Sequence, residues 1–152
     1  MLENMDLLER YRSALIGMSV SHIWLGYGSA IFVEFGELTP KTRTDGSPGN
    51  PDGELTLMIE WSWRIEEGDD IVCGSWSDEA LWESWFEKLI GRSVVDLEVF
   101  GRLPEVCLSL SGGMYLLSFM TSDGGPEWAL MDHRDNGLVT MMSKHGRVCA
   151  EK

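Results

Sequence analysis

Two segments of the chain, 74 positions apart, match each other in residue type and spacing. Residues 9–20 (ERYRSALIGMSV) align with residues 83–94 (ESWFEKLIGRSV), with six identical positions and an aromatic residue in each at Tyr11 and Trp85. A duplicated unit accounts for this agreement better than chance does, and a unit of about 70 residues would bury too little surface to be stable alone. The repeat therefore predicts two similar units that share one hydrophobic core.

Each copy is expected to begin with a helix that ends at a glycine. In the second copy the apolar residues recur every three to four positions, which predicts one buried face. These apolar residues are Leu81, Trp82, Trp85, Phe86 and Leu89. Ser77 or Asp78 can cap the first turn, because a side-chain oxygen there accepts from a free backbone N–H. Gly17 and Gly91 can adopt the positive φ that ends a helix.

After each glycine the sequence pattern changes from helix to strand. The first copy is expected to form strands at residues 19–25, 30–35 and 55–65, and the second copy at residues 94–100, 105–110 and 114–121. Additional strands are expected at residues 69–76 and 126–131, with a hairpin at residues 138–142 and 147–150. This pattern predicts the α+β class, mainly antiparallel β-sheet with two helices, arranged as two pseudo-symmetric repeats.

The whole chain of 152 residues is expected to form a single domain. The first repeat would span about residues 5–76, the second about residues 77–135, and the closing hairpin about residues 137–150. The Pro-, Gly- and Asp-rich segment 39–53 is interpreted as an insertion in the first repeat.

Acidic residues outnumber basic ones by 25 to 12, which gives a formal net charge of −13. The Lys and Arg residues are scattered and form no stripe that would follow a phosphate backbone, so nucleic-acid binding is disfavoured. The same negative field disfavours anionic membrane surfaces, and no apolar run is long enough to span a bilayer. It favours a basic protein as partner, and a second copy of the chain in a homodimer is the other partner considered.

The cysteines and the amino-terminal residues favour the cytoplasm. Cys73, Cys107 and Cys149 are odd in number and widely spaced, and no CxxC pair is present to hold zinc. Acidic residues lie at the start of the chain, where a secretory signal would have basic ones. The sequence therefore predicts a cytoplasmic protein that keeps its cysteines reduced.

No residue pattern requires a metal or an organic cofactor. The three histidines never stand four positions apart, and no group of His and carboxylate residues has metal-ligand spacing in the sequence. Residues 45–53 carry many oxygen ligands, but they lack the twelve-residue calcium pattern. We therefore expect no cofactor.

Three charged residues form the candidate binding site. Glu34 and, on the expected strand 55–65, Glu60 and Arg64 fall on faces opposite the apolar ones, so they are expected to meet on one sheet face. Such a group would form a polar pocket for a cationic or hydroxylated ligand. The alternative, which is common on antiparallel sheets, is a solvated face with a cross-strand ion pair.

The tryptophans divide into two groups by their spacing. Four fall on inward faces and are expected in the core: Trp61, Trp63, Trp82 and Trp85. Three lie at strand or turn ends and are freer: Trp24, Trp76 and Trp128. Of these, Trp76 and Trp128 join the charged residues as candidate binding residues, because indole rings stack on ligands and bind cations.

No residue pattern predicts catalysis. Residues 74–78 (GSWSD) lack the second glycine of a nucleophile elbow. Cys73 and His133, oriented by Asp132 or Asp135, would make a nucleophilic pair only if the fold joined them. The favoured interpretation is that Cys73 is a small buried apolar residue.

Four short motifs stand out along the chain. They are Leu15-Ile16-Gly17 with Val20, Ile59-Glu60, Leu89-Ile90-Gly91 with Val94, and Glu127-Trp128. Together they resemble a family of small bacterial domains of unknown function, built from repeated Leu-x-Gly-x-x-Val and strand units. The resemblance covers most of the chain and implies a fold type and a bacterial cytosolic setting, without catalytic residues. In size and charge the chain is also similar to the immunity proteins of bacterial toxin systems.

Three functions are consistent with these features. The favoured one is a non-catalytic protein-interaction module that neutralises a basic partner. The alternative is a small-ligand-binding domain that uses the charged residues and a free tryptophan. An enzyme is the least favoured, because the sequence shows no reactive group of residues.

Overall fold

The computed structural model describes residues 2–123 and 125–151. These residues form two α-helices and eleven β-strands. The helices are α1 (Leu2–Leu15) and α2 (Trp82–Leu89), the second preceded by a short 3₁₀ turn at Glu79–Leu81. The strands are β1 (Val20–Leu25), β2 (Ile31–Phe35), β3 (Leu55–Ile59), β4 (Trp63–Glu67), β5 (Asp70–Gly74), β6 (Val94–Phe100), β7 (Glu105–Leu110), β8 (Met114–Ser118), β9 (Trp128–Asp132), β10 (Thr140–Lys144) and β11 (Arg147–Glu151). The predicted α+β class, dominated by antiparallel sheet, is confirmed.

The strands form two antiparallel sheets that exchange strands between the halves of the chain. The six-stranded sheet has the order β1-β2-β3-β9-β10-β11, and the five-stranded sheet has the order β5-β4-β8-β7-β6. Strand β4 follows β3 in the chain but pairs with β8, and β9 follows β8 but pairs with β3. Each half of the chain therefore completes the sheet of the other half.

The two helix ends contact each other through reciprocal backbone hydrogen bonds. The N–H of Gly17 donates to the carbonyl of Val94 at 2.9 Å, and the N–H of Gly91 donates to the carbonyl of Val20 at 2.8 Å. Gly91 and Val94 lie 74 positions after Gly17 and Val20, which is the offset of the sequence repeat. The two glycines have φ of +91° and +92°, a conformation that favours glycine, as predicted. The matching segments therefore meet at equivalent residues.

Two buried tryptophans connect the exchanged strands, β4 and β9, to the hairpins β1–β2 and β6–β7. Trp63 begins β4, and its indole N–H donates to the carbonyl of Ser29 at 2.7 Å, in the turn between β1 and β2. Trp128 begins β9, and its indole N–H donates to the carbonyl of Pro104 at 3.1 Å, in the turn between β6 and β7. Both rings belong to one core cluster, to which both sheets and both helices contribute. Each tryptophan thus buries a large apolar ring while its N–H keeps a partner.

Helix α2 buries the predicted face with two exceptions. Asp78 caps the preceding turn, its Oδ1 accepting from the N–H of Ala80 at 3.1 Å. The buried residues of the helix are Trp82, Phe86 and Leu89. The prediction that Leu81 faces the core is wrong: it lies in the 3₁₀ turn, whose different periodicity leaves it 48% exposed. Trp85 is half-buried, with Lys88 Nζ 3.9 Å from its ring centre.

The single strand expected at residues 55–65 is wrong, because the chain forms two strands, β3 and β4, in different sheets. The chain leaves the six-stranded sheet at Glu60, whose N–H donates to the carbonyl of Glu127 at 2.9 Å. All five residues of β3 are buried, since the core covers one face and Met58 packs in a second apolar cluster with Ala129 on the other. The apolar alternation runs on from one strand into the next, so it does not mark the break.

The strand exchange predicts how fragments of the chain behave. Expressed separately, residues 1–76 would lack β9 beside β3, and residues 77–152 would lack β4 beside β8. We expect neither fragment to show a cooperative thermal transition by circular dichroism, whereas the full chain does. An equimolar mixture of the fragments contains every strand and should regain the transition. Cooperative melting of either fragment alone would contradict the prediction.

Candidate functional site

The predicted charged site is divided between the two sheets. Glu34 lies in β2 of the six-stranded sheet, and Arg64 lies in β4 of the five-stranded sheet. Glu60 lies in the connection between β3 and β4. The prediction that these three residues share one sheet face is therefore wrong. The reason is the break at residues 60–62, which turns the expected single strand into strands of different sheets.

Glu34 is fully buried and accepts hydrogen bonds on both carboxylate oxygens. Its Oε2 accepts from the indole N–H of Trp24 at 2.8 Å. Its Oε1 accepts from the backbone N–H of Gly53 at 3.0 Å and from the hydroxyl of Thr56, which lies opposite it in the β2–β3 register. A buried carboxylate is tolerated when donors surround it in this way.

Asp52 and His133 lie beside Glu34, and ligand-type atoms of the three residues lie within 4.8 Å of one another. Because Thr56 gives its proton to Glu34, its oxygen accepts from Nε2 of His133 at 2.9 Å. Asp52 pairs with Lys41 at 3.1 Å. We define the Glu34 cluster as Trp24, Glu34, Asp52, Thr56 and His133.

The Glu34 cluster combines the donor types of a metal site with an extensive hydrogen-bond network. Imidazole and carboxylate groups at this spacing suit zinc and similar transition metals. A metal would have to replace contacts that Glu34 and Asp52 already make with protein groups. The geometry therefore favours a structural role, in which the cluster fastens the segment before β3 to the outer face of the six-stranded sheet.

Asp132 fixes the turn that carries His133, and its own side chain is fully buried. Its Oδ1 accepts from the backbone N–H and the Nε of Arg134 at 3.0 and 2.9 Å, and its Oδ2 accepts from the N–H of Leu138 at 2.8 Å. Burial acts to raise the pKa of Asp132, but these hydrogen bonds outweigh it and lower the pKa from 3.8 to about 2. The N–H of His133 donates to the carbonyl of Glu54 at 2.9 Å, which ties the turn to the start of β3.

A second group of candidate residues surrounds Trp76 at the surface. Trp76 is 90% exposed, Ile71 is 64% exposed and Phe119 is 55% exposed, and the three residues line one cavity of about 370 Å³. Arg64 lines the same cavity, with its guanidinium 5.9 Å from the ring centre of Phe119. A cavity of about 620 Å³ also adjoins Trp76 and is lined by Trp61, which is half-buried, so its predicted place in the core is wrong. We define the Trp76 surface as Trp61, Arg64, Ile71, Trp76 and Phe119.

One acidic side chain lines the Trp76 surface, and two more lie close to its residues in the chain. Glu79 lines the larger of its two cavities. Asp70 and Asp78 are exposed and lie within two positions of surface residues in the chain. Arg64 is itself paired with Glu66 at 2.8 Å. The surface therefore combines exposed apolar side chains with an acidic residue in its lining.

Two other residues singled out from the sequence lie in the interior. Trp128 is fully buried at the start of the exchanged strand β9, so the prediction that it is free to bind a ligand is wrong. Cys73 is buried in β5, as the favoured interpretation predicts, and burial raises the pKa of its thiol. It belongs to the five-stranded sheet, whereas His133 follows β9 of the six-stranded sheet. The fold therefore places the two members of the hypothetical Cys-His pair on different sheets.

Sequence reasoning found Glu34, Arg64 and Trp76 but missed the residues around them. The register of a β2–β3 pair sets Thr56 opposite Glu34, and this signal is available from strand patterning. No local sequence pattern indicates that His133 lies beside Glu34, because this contact depends on the pairing of β9, from the other half of the chain, with β3.

Comparisons with known proteins do not assign the chain to a family. No protein-family model matches it, and neither does any curated protein or solved structure. No helix among the described residues is long and apolar enough to cross a membrane. Function is therefore inferred from the geometry of the residues described above.

Glu34→Gln is expected to destabilise the protein strongly. The glutamine amide turns an NH₂ group toward Trp24, or toward Gly53 and Thr56, so buried donors lose their acceptor. We expect the free energy of unfolding to fall by about 2 kcal/mol in urea denaturation. Glu67→Gln makes the same change at an exposed position and should alter it by less than about 0.5 kcal/mol. Equal effects of the two variants would contradict the network.

The lowered pKa of Asp132 predicts that the stability of the protein depends on pH. Because its pKa is lower in the folded protein than its ordinary 3.8, its contribution is present above about pH 4 and is lost as the pH falls toward 2. We expect Asp132→Asn to lower the free energy of unfolding by about 1–2 kcal/mol at neutral pH and by much less near pH 2, where half of the carboxyl is protonated in the folded protein. Asp135→Asn, at an exposed position of the same turn, is the control. Urea denaturation between about pH 2 and 7 measures the free energy of unfolding of both variants. If Asp132→Asn is less stable than the wild type by the same amount at every pH, the assigned role of the Asp132 charge is refuted.

Proposed function

We propose that this protein is a non-catalytic protein-interaction module that binds a basic partner protein in the bacterial cytoplasm. The Trp76 surface is the proposed interface. The likeness in size and charge to immunity proteins supports a role in neutralising that partner, and the short repeated motifs support membership of the small bacterial domain family described above. All three cysteines are free, which supports a reducing compartment.

The exposure of Trp76 is the observation that carries the proposal. Tryptophan often dominates the binding energy of protein interfaces, because it buries a large apolar area and has few rotatable bonds. Trp76 is 90% exposed, and Ile71 and Phe119 lie in the same cavity lining. Leaving these side chains in water forgoes hydrophobic stabilisation that a partner covering them would supply.

The charge of the chain favours a basic partner. The formal net charge is −13, and Glu79 lines the larger cavity of the Trp76 surface. Charges at the border of an interface select the partner and speed its approach, while the apolar centre supplies affinity. A positively charged surface around an apolar patch is the complement of this arrangement.

A small-ligand site on the same surface is the second candidate function. Arg64 and Trp76, two of the residues singled out in the sequence, line the same cavity of about 370 Å³. This volume lies within the range of small-molecule sites. A hydroxylated ligand would stack on Trp76 and accept from Arg64, and it would bind the isolated protein without any partner.

Trp76→Ala is expected to abolish binding of the partner while leaving the fold intact. We expect the immobilised wild type to retain a basic protein from native cytosolic extract at about 0.05 M salt. Retention should be weaker near 1 M salt, where the Debye length is about 3 Å and the charges are screened. The variant should retain none of it, and its free energy of unfolding should change by less than about 0.5 kcal/mol, because the side chain is exposed.

Phe100→Ala is the matched control for this experiment. Phe100 is an aromatic residue, 38% exposed, on the edge strand β6, at the opposite edge of the five-stranded sheet from β5. This variant should retain the partner as the wild type does. Retention by Trp76→Ala, or retention only of a second copy of the chain, would contradict the proposed function.

A further inference from the structure

A cavity of about 490 Å³ lies beside the Trp76 surface and shares Thr121 and Ser122 with the larger cavity there. Three carboxylate side chains line it: Glu105, Asp123 and Glu127. Its lining among the described residues contains no Lys or Arg, and its one histidine is His145. Apolar side chains form other parts of the wall: Leu103, Pro104 and Met120. The cavity is therefore negatively charged and partly apolar.

Glu127 is the residue that points to a ligand. It is 9% exposed, and its Oε2 is buried with no hydrogen-bond partner among the described residues. Its backbone is held on both sides: its N–H donates to the carbonyl of Ser143, and its carbonyl accepts from the N–H of Glu60, both at 2.9 Å. A buried carboxylate oxygen without a donor is costly and uncommon in folded proteins. A ligand that brings an N–H group into the cavity would supply the missing donor once a change of side-chain rotamer turns this oxygen toward it.

Glu105 differs from Glu127 because both of its oxygens already have protein donors. Its Oε1 accepts from the hydroxyl of Ser118 at 3.0 Å, and its Oε2 accepts from the N–H of Met120 at 2.6 Å. Glu105 therefore contributes a fixed negative charge, and Glu127 contributes a carboxylate with one oxygen that has no protein donor among the described residues.

We propose that this cavity binds a lysine ammonium or arginine guanidinium group presented by the basic partner. The N–H groups would donate to the carboxylate of Glu127, while Glu105 and Asp123 would balance the positive charge. The aliphatic stem of the side chain would lie against Leu103 and Met120. The source of the cation rests on the proposed function, because the cavity adjoins the interface proposed there. The chemistry of the cavity can be tested without the partner.

The first experiment uses butylammonium and butylguanidinium as probes of the full chain. Butyrate and 1-butanol have the same aliphatic stem and serve as the anionic and neutral controls. We expect both cations to raise the melting temperature and to shift the amide NMR signals of Glu105, Glu127 and Ser143, and neither control to do so. No response to the cations, an equal response to 1-butanol, or a stronger response to Ca²⁺ would overturn the inference.

Substitutions at Glu127 test the acceptor directly. Glu127→Gln should weaken binding of both cations at least about tenfold. It should melt no lower than the wild type, because it removes a buried charge that has no partner. Glu127→Asp keeps the charge but moves the carboxylate by one methylene, and it should also weaken binding. Glu67→Gln, which changes the net charge equally at an exposed position, should bind like the wild type. Unchanged binding by both Glu127 variants would overturn the inference.

The second experiment tests whether the cation belongs to the partner protein. It uses the partner that the immobilised wild type retains and Trp76→Ala does not. Glu127→Gln should weaken that retention at low salt, although the Trp76 surface is intact. If Glu127→Gln retains the partner as well as the wild type does but no longer binds the two cations, the cavity does not take a side chain of the partner. That result would overturn the assignment and identify a free amine as the occupant. The probe experiment does not involve the partner, so the failure of this inference and the failure of the proposed function are distinguishable.

Discussion

The reciprocal hydrogen bonds between the two helix ends position the strands that follow them. Gly17 and Gly91 both have positive φ, so the chain turns from helix into strand at the same point in each half. Ser19 and Ser93 then form a bridge, and β1 and β6 begin beside each other. From this contact each half builds three antiparallel strands and sends its next strand into the other sheet. Neither sheet is complete without both halves, which makes this backbone contact the constraint on which the fold depends.

The elements decided by local sequence could be predicted, and the break at residues 60–62 could not. A helix face, a glycine with positive φ and a two-strand hairpin each depend on residues within a few positions of one another. The break has no Gly or Pro to mark it, and the apolar pattern continues through Trp61. It occurs because β8 offers β4 a pairing edge in the other sheet, with Trp63 docked on a distant turn. Such a partner lies far along the chain and leaves no local signal.

The same distinction explains which candidate tryptophan became part of a site. Trp76 and Trp128 both lie close to a strand end, so their sequence signals are alike. Trp128 begins a strand that is paired on both sides and packs into the core. Trp76 follows β5, which is the edge strand of its sheet, and its ring stays exposed. Strand order decides between the two environments, and strand order is a property of the whole chain.

Two buried glutamates show where the folded chain satisfies its own polar groups and where it does not. Glu34 receives donors from Trp24 and from the segment around β3, so both of its oxygens are satisfied by the fold itself. Glu127 keeps an oxygen without a donor in a cavity lined by other acids. In a chain with a formal net charge of −13, that cavity adds to the self-repulsion of the folded state. A cation bound there would relieve the repulsion and satisfy the oxygen together, so binding and folding stability are thermodynamically linked at this site.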